Sequence, residues 1–99
     1  MFDNDRADSH ASQLKILFRK GTVEVILFLA SVEKGRYSDI RKQKYVVGDR
    51  SLSRILKELQ GHALICRETL PTYPVSTMYS LTDKGKLVAE HLNILKETL

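Results

Sequence analysis

The segment Asp49–Gln60, DRSLSRILKELQ, leaves the chain the fewest choices. Leu52, Ile55, Leu56 and Leu59 recur at i, i+3, i+4 and i+7, the spacing of one helix face. At 100° per residue, Arg50, Arg54 and Lys57 lie within about 30° of the opposite direction. Glu58 falls on the flank, so no carboxylate interrupts the three cations. A helix divided in this way must press its leucine side into a core and leave its cationic side in solvent. Gly61 follows the last periodic residue and predicts the helix end.

The rest of the chain has to build that core within 99 residues, which is room for one small domain. Residues 9–19, SHASQLKILFR, read as a short helix with Leu14, Leu17 and Phe18 on one face, capped by Ser9 or Ser12. Residues 1–8 read as frayed. Residues 23–32, VEVILFLASV, are apolar nearly all round. Their length and their Leu and Ala content favour a central helix over a strand, and Lys34-Gly35 ends it. Arg36-Tyr37 is too short to stand alone as a strand. A helix of barely two turns follows over about 38–44, with Ser38 as its cap and Asp39 in its first turn. LICRETL and STMYSLT are rich in β-branched and aromatic residues. They flank Pro71-Thr72-Tyr73-Pro74, so they predict a hairpin with a stiff tip. Thr82 then caps a final helix that runs to the end of the chain. The fold class is α+β: a three-helix core with a β-hairpin beside it and a further C-terminal helix.

Charge is distributed unevenly over this frame. The whole chain carries +4. Residues 34–57 alone, with eight Lys and Arg against Asp39 and Asp49, carry +6, while residues 1–10 carry −2. A local excess of this size suits a polyanion, although a solvated surface would show it too. The helix order decides between them: a two-turn helix, a turn, and a helix with a cationic back is a helix-turn-helix arrangement. The expected partner is double-stranded DNA, whose major groove admits one helix and is most often read by Arg. Arg50, Arg54 and Lys57 are the expected reading face, with Ser51 and Ser53 beside it reaching phosphates or base edges. Ser38, Arg41, Lys42 and Lys44 extend the basic surface on the preceding helix and turn. Arg67, Thr72 and Tyr73 would place the hairpin against the backbone or a minor groove.

The stretch from Gly35 to Gly85 resembles the HxlR branch of winged-helix transcription regulators, relatives of the MarR group. RYSDIRK at 36–42 is similar to that family's R-F-s-E-L-r, and SLSRILKEL at 51–59 to its recognition helix. PTYPVSTMYSLTDKG at 71–85 is similar to its P-x-x-P wing followed by V-x-Y-x-L-T-x-x-G. The patterns align without a gap from Tyr37 to Leu59 and from Pro71 to Gly85. The resemblance implies a winged helix-turn-helix domain over 9–82. It also implies a dimerisation helix over 83–99 and a homodimer on a pseudo-palindromic operator. The family's cysteine near the N-terminus is absent, and its serine at the recognition-helix cap is Gly48, with Asp49 able to take over. Its glycine before the first hairpin strand is Ala63, with Gly61 two positions earlier.

The C-terminal helix supports a dimer on its own pattern. Leu87, Val88, Leu92, Ile94, Leu95 and Leu99 cover an arc wider than one small core absorbs. The expected interface comprises Leu14, Leu17, Leu87, Val88, His91, Leu92, Leu95 and Leu99. A single cysteine, Cys66, makes no internal disulfide and points to a reducing cytosol. On its strand it reads as a small buried residue. No apolar run approaches the length of a membrane span. No phosphate loop, nucleophile elbow or zinc spacing occurs, so neither an enzyme nor a cofactor is expected. An effector is not legible. The competing reading is a winged-helix module that binds protein and has no DNA contact; an uninterrupted Arg50/Arg54/Lys57 face argues against it.

Overall fold

The computed structural model describes residues 11–43 and 48–99. The frayed segment expected over 1–8, the Ser9 cap and Lys44 lie outside the described residues. A 3-10 segment at Gln13–Phe18 leads into helix α1 (Thr22–Val32), strand β1 (Lys34–Arg36) and helix α2 (Tyr37–Arg41). Helix α3 (Asp49–Gly61), strands β2 (Ile65–Leu70) and β3 (Ser76–Leu81) and helix α4 (Asp83–Thr98) complete the order. The sheet is antiparallel with order β1-β3-β2.

The core forms where the sequence pattern places it. Leu52, Ile55, Leu56 and Leu59 of α3 are all buried, against Val25, Ile26 and Leu29 of α1 and Ile40 of α2. Leu64, Ile65, Tyr79, Leu81 and Ala89 close it from the sheet and α4. Each fully buried Leu or Ile contributes roughly 1.5–3 kcal/mol. Helix α1 has a buried face on Val25, Ile26 and Leu29, but Ala30, Ser31 and Val32 are exposed.

Several expectations are corrected. The first segment is a 3-10 helix from Gln13, and its three-residue turn turns Ile16 and Leu17 toward the core while Phe18 is 78% exposed. Ser12 makes no side-chain cap hydrogen bond to it. Lys34–Arg36 is a strand after all, because β3 supplies its partner: Gly35 pairs with Tyr79. Helix α2 starts one residue earlier than expected and ends at Arg41. Its cap position is Arg36, whose backbone N–H donates to Asp39 Oδ2 (3.3 Å), so Ser38 lies inside the helix. Gly48, not Asp49, is the cap of α3. Cys66 is exposed rather than buried, because β2 leaves the core after Ile65 and exposes both its faces from Cys66 to Thr69.

The end of α3 and the start of α4 are locked together. Ala63 takes a left-handed conformation (φ 58°). Its N–H donates to Gln60 O and that of Leu64 to Leu59 O, both at 2.9 Å, the reciprocal pattern of a Schellman ending. Thr82 caps α4 by accepting from the Gly85 N–H (3.0 Å) and donates its own hydroxyl to Ala63 O (2.6 Å). Lys84 Nζ donates to His62 O (2.8 Å). A side chain at Gly85 would collide with the Leu64 carbonyl. The Leu-Thr-x-x-Gly pattern therefore has a physical role: it seats α4 on the turn that ends α3.

Candidate nucleic-acid interface

Burial of four apolar residues fixes the rotation of α3 and so decides what its other side presents. Arg50, Arg54 and Lys57 are exposed, and among the described residues none of them enters an ion pair. Ser51 and Ser53 are exposed on the two flanks of this stripe. Ser53 and Lys57 share a cleft of about 400 Å³ with Arg67 of β2 and with Tyr37. Arg67 stands opposite Tyr79 in the hairpin register, on the side of the sheet that meets α3.

The start of α3 is held by a charged cluster. Arg41 Nε donates to Asp49 Oδ1 (2.7 Å), and the Tyr37 hydroxyl donates to the same oxygen (3.1 Å). The hydrogen bond from Arg41, then that from Tyr37, hold the Asp49 carboxyl below the ordinary carboxylate range. Burial pushes the Tyr37 phenol up; Ser53 beside it opposes the shift. Arg41 therefore braces α2 against the first residue of α3, in contrast to the unpaired Arg50 and Arg54. Lys42 is turned to a different cleft, which it shares with Phe28, Lys34 and Asp39. Ser38 is exposed on α2.

At the hairpin tip the Thr72 hydroxyl donates to Pro74 O (2.9 Å) and lies 3.3 Å from the Ser76 hydroxyl, whose proton it can accept. Thr72 thus fastens the turn, while Tyr73 is completely exposed and Val75 is 67% exposed. On α4 the expected apolar arc divides. Val88 and Leu92 pack on the protein's own core, as does Leu17. Leu87, Ile94, Leu95 and Leu99 are more than half exposed, as is Leu14 on the 3-10 segment. His91 lies in the same outward row, with its Nδ1 2.8 Å from Leu87 O.

Sequence reasoning missed a second basic flank. Lys15, Arg19 and Lys20 line a cleft of about 640 Å³ with Arg50, Ser51 and Arg54. Arg19 Nε contacts Glu58 Oε1, tying the 3-10 segment to α3. The signal was the spacing of the three cations in KILFRK, but its meaning depends on where the chain folds back. Among the described residues no group of His, Cys, Asp and Glu could hold a metal ion, and no helix is long and apolar enough to cross a membrane.

Two successive helices, the second with an exposed cationic face, and a hairpin beside it define a winged helix-turn-helix domain. Residues 16–98 match the HxlR-like helix-turn-helix family, and the chain belongs to it. It is 38% identical over 73 residues to an uncharacterized helix-turn-helix-type transcriptional regulator of Methanothermobacter thermautotrophicus, across 72% of this chain and 56% of the relative. It is 37% identical to the uncharacterized regulator YvaP of Bacillus subtilis, across 74% of this chain and 68% of the relative. The chain thus spans only about half to two thirds of these relatives' length. In fold it is similar to a protein of Porphyromonas gingivalis W83 assigned to the MarR family of transcriptional regulators (TM-score 0.77, 24% identity, 88% of this chain and 84% of that one). The reduced form of the regulator YodB from Bacillus subtilis is also similar (TM-score 0.73, 23% identity, 88% and 84%).

Proposed function

We propose that the protein is a homodimeric, sequence-specific regulator that binds double-stranded DNA. Helix α3 enters the major groove, and the β2–β3 wing rests on the backbone or in a minor groove. The observation that carries this reading is the exposed and unpaired Arg50/Arg54/Lys57 face of a helix whose other side is anchored in the core. Arg50 and Arg54 reach base edges, because Arg fits guanine with two donors. Ser51, Ser53, Lys57, Lys42 and Ser38 contact backbone oxygens, which set position rather than sequence. Arg41 acts by holding Asp49 and with it the first turn of α3. Arg67, Thr72 and Tyr73 form the wing's contact surface.

Dimerisation uses the outward row of α4, Leu87, His91, Ile94, Leu95 and Leu99, together with Leu14; Val88, Leu92 and Leu17 pack on the protomer's own core instead. An exposed apolar stripe on a terminal helix is costly in water, and a second copy related by a two-fold axis covers it. The two α3 helices of such a dimer sit one DNA turn apart, ~34 Å. Selection of bound duplexes from a random pool tests the reading. It predicts a palindromic motif with half-sites about one turn apart. Recovery of no enriched sequence, with weak and salt-insensitive binding, would favour a protein-binding module instead.

A further inference from the structure

We propose that Lys15 and Lys20, on the segment before α1, form a second phosphate clamp that flanks α3 on the side away from the wing. This rests on the reading of α3 as a major-groove helix and adds a contact element to it. The argument starts from the groove. It is about 12 Å wide and bounded by a phosphate row on each side, and a helix with its side chains is about 10–12 Å across. A helix seated there has phosphates along both flanks.

The two flanks of α3 are built differently but carry charge of the same sign. About the crest at Arg54, Ser53 and Lys57 lie to one side and Ser51 and Glu58 to the other, at 100° per residue. On the first side the cleft is closed by Arg67 of the wing. On the second, Lys15, Arg19 and Lys20 close a cleft whose remaining lining is Arg50, Ser51 and Arg54. That lining contains five cations and no carboxylate. The nearby carboxylate, Glu58, is engaged by Arg19. This contact ties the segment to α3 and leaves Lys15 and Lys20 exposed, without an ion-pair partner among the described residues. Unpaired cations held close together repel one another, and a row of phosphates relieves that repulsion. Lysine is a point charge on a flexible stem, suited to backbone oxygens rather than to the two-donor reading of a base.

The test is the salt dependence of duplex binding by the full chain, wild type against the Lys15→Gln/Lys20→Gln variant, on the selected operator and on unrelated duplex. Each phosphate contact adds about 0.9 to the slope of log affinity against log salt. The double variant is expected to lose about 1.8 of that slope, and affinity roughly tenfold per lysine at 0.1 M salt. The loss should be equal on both duplexes, leaving sequence preference unchanged. A Lys86→Gln/Lys96→Gln variant removes the same charge from α4 and should change the slope far less; matching thermal melts verify that both fold. An unchanged slope in Lys15→Gln/Lys20→Gln, or an equal loss in the α4 control, overturns the clamp while leaving the groove reading of α3 intact. Wild-type protein that binds no duplex overturns both.

Discussion

At the scale of single residues, two positions govern how α3 is presented. Ala63 occupies the left-handed site at the end of α3, a conformation that costs a non-glycine residue roughly 1–2 kcal/mol. Ala63→Gly removes that cost but adds unfolded-chain entropy, so a net stabilisation of ~0.5–1 kcal/mol is expected. Thermal unfolding measures it; a lower melting temperature would show that the methyl group is held by packing instead. Asp49 works at the other end of the helix. Its carboxyl is depressed by Arg41 and Tyr37, so the folded state binds this proton more weakly than the unfolded one. The stabilisation is present above the ordinary carboxylate pKa and lost as pH falls through the lower folded value. Asp49→Asn should therefore flatten the acid limb of the stability profile below about pH 4. Superimposable acid limbs for the two proteins would mean that the brace contributes nothing to folding.

At the scale of elements, legibility followed the range of the interactions involved. Helix α3 was readable because its signal is internal: four apolar residues at helical spacing and three cations opposite. The α4 cap was readable for the same reason, since Thr82 and Gly85 are three residues apart. Strand β1 was not, because three residues become a strand only when β3, more than forty positions later, pairs with them. The alternation of β2 misleads, since a hairpin that projects past the core exposes both faces. Lys15 and Lys20 gained significance only when the fold set them beside Arg50 and Arg54. The broad arc of α4 was visible, but its division into an inner row with Val88 and Leu92 and an outer row with Leu87, Ile94 and Leu95 depends on where Ala89 is buried. That division carries a prediction. Leu95 is 52% exposed, so Leu95→Glu should leave the protomer folded yet give monomers in sedimentation and abolish operator binding. A dimer that survives the change would place the interface elsewhere.

At the scale of the whole molecule, the fold is a device for rotation. Burial of Leu52, Ile55, Leu56 and Leu59 turns Arg50 and Arg54 outward, the Arg41–Asp49 pair fixes the entry of α3, and the Thr82–Gly85 seat fixes its exit. The wing and the 3-10 segment then stand on its two flanks, each with cations. The central claim is that this rod reads base edges. Its most direct test is the affinity of wild type and Arg54→Ala for the selected operator and for every single-base-pair variant of it. The expected result is a loss of ~1–3 kcal/mol on the operator, with preference relaxed at one position of each half-site. Unchanged affinity, or the same loss on every duplex including unrelated ones, would contradict base reading by Arg54.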